Sequence, residues 1–207
     1  MKEIRSDTSL TKRRYDRQAW LYDYMEYPME ALRFAEWRTR LRDRIKGPKA
    51  LEAGVGTGKN MAYYPADVAV TAVDISPRML ARARRRATGL GLQVDLLEMD
   101  VQHLDFLDNE FDTVFATFVF CSVDDPISGL RELRRVCRPG GRLVLLEHMR
   151  PGNSVLGRIF DLLNPLVVRI GGANINRRTM ENIRRAVWEV TVEEHLSSDI
   201  VRWIEAR

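Results

Sequence analysis

Leu51-Glu52-Ala53-Gly54-Val55-Gly56-Thr57-Gly58, residues 51–58, joins a short apolar run at Ala50 to Ala53 to a segment that reads as a helix from about Lys59. Glycines at a strand-to-helix turn let the backbone approach a ligand closely and leave amide groups pointing at it. The spacing selects the ligand. A dinucleotide turn runs G-x-G-x-x-G, whereas this one runs G-x-G-x-G with Glu52 two positions before the first glycine. A carboxylate there serves a pyrophosphate poorly and a cationic, amino-acid-like group well.

Outward from the turn, strands and helices alternate. Val68 to Val73 is an apolar run that ends at Asp74, and Ser76-Pro77 opens a helix with Ser as N-cap and Pro at the first helical position. Gln93 to Glu98 is a third strand followed by Asp100-Val101, and Thr113 to Val119 is a fourth. A helix spans Pro126 to Val136, and Arg138-Pro139-Gly140-Gly141 turns into a fifth strand, Arg142 to Glu147. Upstream, Phe34, Trp37, Leu41 and Ile45 recur at helical spacing until Gly47-Pro48. Downstream, Val155 to Ile170 is dense in apolar residues and broken by Pro165, and a helix, Arg178 to Ala186, leads to two strand-like runs, Trp188 to Glu194 and Asp199 to Glu205. Alternation of this kind builds a parallel α/β sheet covered on both faces, with its ligand at the carboxyl ends of the strands. Asp74 lies 22 residues after Glu52, where an acid can accept from ribose hydroxyls. Asp100 can accept from an adenine amino group, with the Val101 amide beside it. Three acids at successive strand ends, beside a glycine turn, describe an adenosine site.

These residues resemble the class I S-adenosylmethionine-dependent methyltransferases over about residues 15–205. The resemblance rests on LEAGVGTG at 51–58, VDISPRML at 73–80, MDVQHLDF at 99–106, FDTVFATFVFCSV at 111–123 and LRELRRVCRPGGRLVLLEH at 130–148. It is nearest to the branch of ubiquinone/menaquinone C-methyltransferases and phospholipid N-methyltransferases. TFVFCSV and LLEH are also similar to alkyl thiol methyltransferases. The resemblance implies a Rossmann-like, doubly wound, mostly parallel seven-stranded sheet with an antiparallel last strand, N-terminal helices and a small cap insertion. One domain, 1–207, would then divide into a helical cap (1–46), a cofactor-binding core (47–149), the insertion (150–177) and a closing helix and hairpin (178–207). It implies S-adenosyl-L-methionine as cofactor and S-adenosyl-L-homocysteine as product. Gly54, Gly56, Thr57 and Gly58 would then line the methionine portion, with Glu52 beneath its ammonium group. Asp74 would hold the ribose, Ile75 and Met79 would pack on the adenine, and Asp100 and Val101 would address its edge. Thr117 and Phe118 would lie near the sulfonium, and Tyr15 and Tyr22 would belong to a segment that folds over the cofactor. In that branch a glycine usually precedes the last hairpin, where this chain has Ala186-Val187-Trp188.

Methyl transfer from a sulfonium is an in-line displacement, so the protein mainly aligns the reactants and excludes water. His148, at the end of the fifth strand, is the candidate for substrate contact or proton transfer. Cys121 has no covalent role to play in a direct transfer. The two cysteines, Cys121 and Cys137, have no metal-site spacing, and no metal is expected. Phe111-Asp112 begins its strand at the far end from the site and reads as structural. The stretch Thr117-Phe118-Val119-Phe120 stands where amino methyltransferases of nucleic acids carry Asn/Asp-Pro-Pro-aromatic, and no basic stripe with aromatics suggests nucleic acid. A small lipophilic or lipid acceptor is therefore expected. It would be roofed by Leu156, Ile159, Phe160, Leu162, Leu163 and Leu166, and by Tyr24, Met25, Tyr27, Met29, Phe34 and Trp37. A phosphatidylethanolamine-type amine leads, with quinone C/O-methylation or thiol S-methylation as alternatives. A nicotinamide-dependent dehydrogenase is opposed by the glycine spacing and Glu52; a non-catalytic nucleotide-binding module would use the same residues. The chain of 207 residues carries 33 basic and 29 acidic residues, a net +4. Arg33, Arg38, Arg40, Arg42 and Arg44 could rest the N-terminal helix on an anionic membrane. A charged N-terminus and the lack of any 20-residue apolar run predict a cytoplasmic protein, peripheral on the inner face of the membrane if it binds lipid.

Overall fold

The computed structural model describes residues 11–13, 15, 16, 35–197 and 199–207. Seven strands form one sheet in the order β3-β2-β1-β4-β5-β7-β6. They are β1 Lys49–Ala53, β2 Ala69–Asp74, β3 Asp95–Glu98, β4 Phe111–Thr117, β5 Cys137–His148, β6 Val190–Ser197 and β7 Val201–Ala206. The pairings β1–β2, β1–β4, β2–β3 and β4–β5 are parallel, while β7 runs antiparallel to both β5 and β6. The expected mostly parallel seven-stranded sheet with an antiparallel last strand is thus what forms. Central strands are buried on both faces, so β4 (Phe-Asp-Thr-Val-Phe-Ala-Thr) needs no strict alternation.

Helix α1, Ala35–Arg44, lays Trp37 and Leu41 on one face of the sheet, against Ala50, Phe115, Val144 and Trp203. Helix α2, Pro77–Leu90, covers the same face nearer β2 through Leu80, Ala83 and Ala87. On the other face, Leu130 and Leu133 of α3, Pro126–Val136, and Ile183 of α5, Thr179–Arg185, pack on Leu51, Val114, Leu143 and Ile204. The cap at Ser76 is the one the sequence predicts. Ser76 accepts from the Met79 amide at 3.1 Å with Pro77 behind it, and Asp125 accepts from the Ile127 and Ser128 amides. Asp112, at the amino end of β4, accepts from the Lys49 amide and pairs with Arg138, far from the strand ends that carry the site.

Two elements differ from expectation. The helix expected after the glycine turn is a single 3-10 turn, Lys59–Tyr63, because Asn60 and Tyr64 turn inward to Glu52 and Pro65 follows. Pro165 does not interrupt its segment: α4 runs unbroken over Ser154–Gly171 with the proline on the exposed side. A backbone carbonyl left without an N–H partner there can be met by solvent. Three of the α1 arginines are paired within the fold, while Arg42 is exposed. Arg38 is buried against Asn60, Arg40 pairs with Glu194 and lies 4.5 Å over the Trp203 ring, and Arg44 pairs with Glu205.

Candidate functional site

At the carboxyl ends of β1 to β4, where the order reverses between β1 and β4, the sheet opens into a cavity. Tyr15, Gly54, Gly56, Asp74, Ile75, Met79, Asp100, Val101, Thr117 and Phe118 all line it. Ten residues picked from five separated stretches thus meet around one space.

The glycine turn shapes one wall. Gly54 has φ +67°, and a Cβ built on it would stand 2.5 Å from the Val119 side chain. Gly56 has φ +55°, and a Cβ there would meet nothing within 4 Å, because it would project into open space. The Gly56 amide donates to Asp74 Oδ2 at 2.8 Å, and the Ser76 amide to Oδ1 at 2.8 Å. Asp74 therefore ties the turn to the end of β2 while facing the cavity. Burial pushes its carboxyl above the usual range, against the pull of those amides. Asp100 is engaged at the next strand end by the Gln102 amide and side chain, and Gln102 in turn accepts from the Asp125 amide at 2.8 Å.

Thr11 and Tyr15 close the side of the cavity. Thr11 donates to Asp124 at 3.2 Å, and Asp16 accepts from the Ser76 hydroxyl at 2.6 Å. Tyr22 lies outside the described residues, as do Arg33 and the apolar set Tyr24 to Phe34.

Glu52, Thr57 and Gly58 do not line the cavity. Glu52 lies behind its floor, accepting from Asn60 Nδ2 at 2.5 Å and from the Tyr64 hydroxyl, with Arg38 beyond. Asn60 Nδ2 also donates to Thr117 Oγ1 at 3.0 Å, so the chain from Glu52 reaches the wall through an intermediary. Burial raises the Glu52 carboxyl to about 7, with Tyr64, Asn60 and Arg38 opposing.

Phe118 sits at φ +57°, a conformation that costs a non-glycine residue energy and therefore needs a cause. The cause is Glu147. Fully buried at the end of β5, its Oε1 accepts from the Val119 and Phe120 amides at 2.8 and 3.0 Å. It clamps the turn that follows Phe118. Its Oε2 has no hydrogen-bond partner among the described residues, and burial lifts its carboxyl to about 7. The turn presents the Phe118 ring to His148, with centroids 4.5 Å apart. His148 is thus one ring removed from the cavity rather than in its wall. Residues that sequence reasoning passed over are Thr11, Val73, Met99, Gln102, Val119, Ser122, Val123 and Asp124, which line the cavity. Glu147 was visible as the lone acid closing the apolar run Leu143 to Leu146. No described group of His, Cys, Asp and Glu could hold a metal ion.

Ile159, Leu162, Leu163 and Leu166 do not roof the cavity; they face outward from α4.

Residues 51–145 match a methyltransferase domain family. A phosphatidylethanolamine N-methyltransferase of Cereibacter sphaeroides is 43% identical over 59% of this chain and 61% of its own length. A demethylmenaquinone methyltransferase of Clavibacter sepedonicus is 33% identical over 82% of this chain and 70% of its own length. The chain therefore spans about three fifths of the first relative. The fold is also that of a methyltransferase structure from Thermotoga maritima, with TM-score 0.69 and 22% identity over 94% of this chain and 98% of the other.

Proposed function

This chain belongs to the class I S-adenosylmethionine-dependent methyltransferases, and on that footing we propose that it methylates the amine of a phosphatidylethanolamine-type lipid. The residues fit the cofactor. The open space in front of Gly56 would admit the amino-acid tail, and Asp74 and Asp100 stand at successive strand ends for ribose and adenine. Bound S-adenosylmethionine supplies an electrophilic methyl group on a leaving group already activated by its positive charge. Met79, Val101 and Tyr15 would exclude water from it, and Asp74 holds the glycine turn in register.

The observation that carries the amine reading is the Phe118–His148 pair. A protonated amine must shed a proton before it can attack, and His148, behind the Phe118 ring at the end of β5, is the candidate to receive it through a water or a shift of that ring. The Phe118 face beside it suits an alkylammonium group. The likeness to a phosphatidylethanolamine N-methyltransferase supports the same acceptor. A quinone-ring acceptor is the second reading, supported by the longer match to a demethylmenaquinone methyltransferase.

Radiolabel transfer to phosphatidylethanolamine vesicles, a demethylated quinone and an alkyl thiol tests the acceptor. Transfer to the phospholipid is expected to dominate, and transfer confined to the quinone or thiol would overturn the amine reading. His148→Ala should lower kcat by roughly 10²-fold or more with cofactor affinity intact.

A further inference from the structure

Helix α4 is inside out. Along Ser154–Gly171 the buried positions include Gly157, Asn164 and Val168, whereas Val155, Ile159, Leu162, Leu163 and Leu166 are exposed. Their spacings of 4, 3, 1 and 3 place all five on one stripe about 16 Å long. Leu162 is 80% exposed, at the centre of that stripe. An ordinary surface helix turns its apolar face to the core, so an outward stripe of this size marks a surface made for something apolar.

The helix is also bonded to the site. Asn164 donates to Asn174 at 3.1 Å and accepts from the Ile175 amide at 2.9 Å. The Asn174 amide and side chain both donate to the Cys121 carbonyl, at 2.7 and 3.2 Å. Cys121 belongs to the turn that Glu147 clamps beside Phe118. What α4 rests on is therefore held next to the cavity wall.

We propose that the α4 stripe docks on the surface of an anionic lipid bilayer and places the cavity beside it. The proposal rests on the reading of a lipid acceptor. Charge selects the occupant. Arg158 and Arg169 are exposed on one flank of the stripe, while Asp161, the one acid of α4, turns away from it and is held by Arg150 and Asn176. Such a helix suits anionic headgroups with its cations and acyl chains with its stripe. It lies in the interface, since no described helix is long and apolar enough to cross a membrane.

Flotation of the full chain with phosphatidylethanolamine vesicles, with and without phosphatidylglycerol, tests this. The wild type should float with the anionic vesicles, less so in high salt. The double variant Leu162→Glu, Leu166→Glu should bind at least tenfold more weakly, with S-adenosylhomocysteine affinity unchanged as proof of folding. It should methylate vesicle lipid more slowly while transfer to a short-chain, monomeric phosphatidylethanolamine is retained. Failure of the wild type to float, equal flotation of the variant, or a stripe buried between two copies by light scattering would overturn the docking. Flotation with transfer only to a quinone would support the docking and overturn the amine acceptor.

Discussion

Val187 stands at φ +65° in the turn before β6, two-thirds exposed, where a β-branched side chain pays the full steric cost of the left-handed region. The strain is roughly 1–2 kcal/mol, and glycine's extra unfolded-state freedom offsets roughly 0.5–1 of it. Val187→Gly is therefore expected to stabilise the protein by about 1 kcal/mol, read as a higher midpoint in urea unfolding. Asp74 does two things at once, facing the cavity and accepting from the Gly56 amide. Asp74→Asn should weaken S-adenosylmethionine binding by about 1.5–3 kcal/mol in calorimetry, the range for hydrogen bonds to a charged group. Unchanged affinity in the folded variant would remove Asp74 from the site. Glu52 and Glu147 both titrate near 7 in the folded chain against 4.5 ordinarily. Between about pH 4.5 and 7 the unfolded chain gives up protons that the folded chain keeps, so stability falls as pH rises through that window and levels above it. Each carboxyl contributes about 3 kcal/mol at most. Glu147→Gln keeps an acceptor for the Val119 and Phe120 amides and should flatten the slope between pH 5 and 7; an unaltered slope would assign the titration elsewhere.

At the scale of elements, α4 and the 118–124 turn behave as one unit. Asn164 is 6% exposed and satisfies both Asn174 and the Ile175 amide. Asn164→Ala leaves those groups buried without a partner and should cost about 1–3 kcal/mol in unfolding. Because Asn174 also holds the Cys121 carbonyl, the same variant should lower kcat/KM for the acceptor more than it lowers cofactor affinity. The short 3-10 turn after the glycines carries the same lesson on the other side of the cavity. Glu52 holds Asn60 and Tyr64 inward, so a segment with helical residues, Lys59 to Tyr63, stops after one turn.

Across the whole molecule, the parallel order β3-β2-β1-β4 aims four carboxyl ends at one cavity, so Asp74 and Asp100, from separate strand ends, face a single ligand. A ligand that bridges them stabilises the folded chain alone. S-adenosylhomocysteine at 100 times its Kd should add about 2.7 kcal/mol. For a chain of 207 residues that corresponds to a rise of roughly 5–10 °C in Tm. NAD should give no rise, because the turn runs G-x-G-x-G rather than the dinucleotide spacing G-x-G-x-x-G. An equal shift with NAD would sink the assignment of the cavity.

The order of strands and helices, the cap at Ser76, and the residues at each strand end were legible in the chain alone, because local periodicity and turn chemistry decide them within a few residues. Position around the cavity could be inferred for Asp74, Asp100 and Phe118 since a parallel sheet delivers successive strand ends to one place. Partners were not legible. That Glu52 would be sealed behind Asn60 and Tyr64, that Arg38, Arg40 and Arg44 would be consumed within the fold, and that Glu147 would clamp the turn beyond Phe118 depends on contacts between residues far apart in sequence. The direction in which α4 faces was decided by tertiary structure too. A helical pattern shows that one side is apolar but not which side meets the protein, and here Asn164 is drawn inward by buried acceptors and donors that only the folded chain provides.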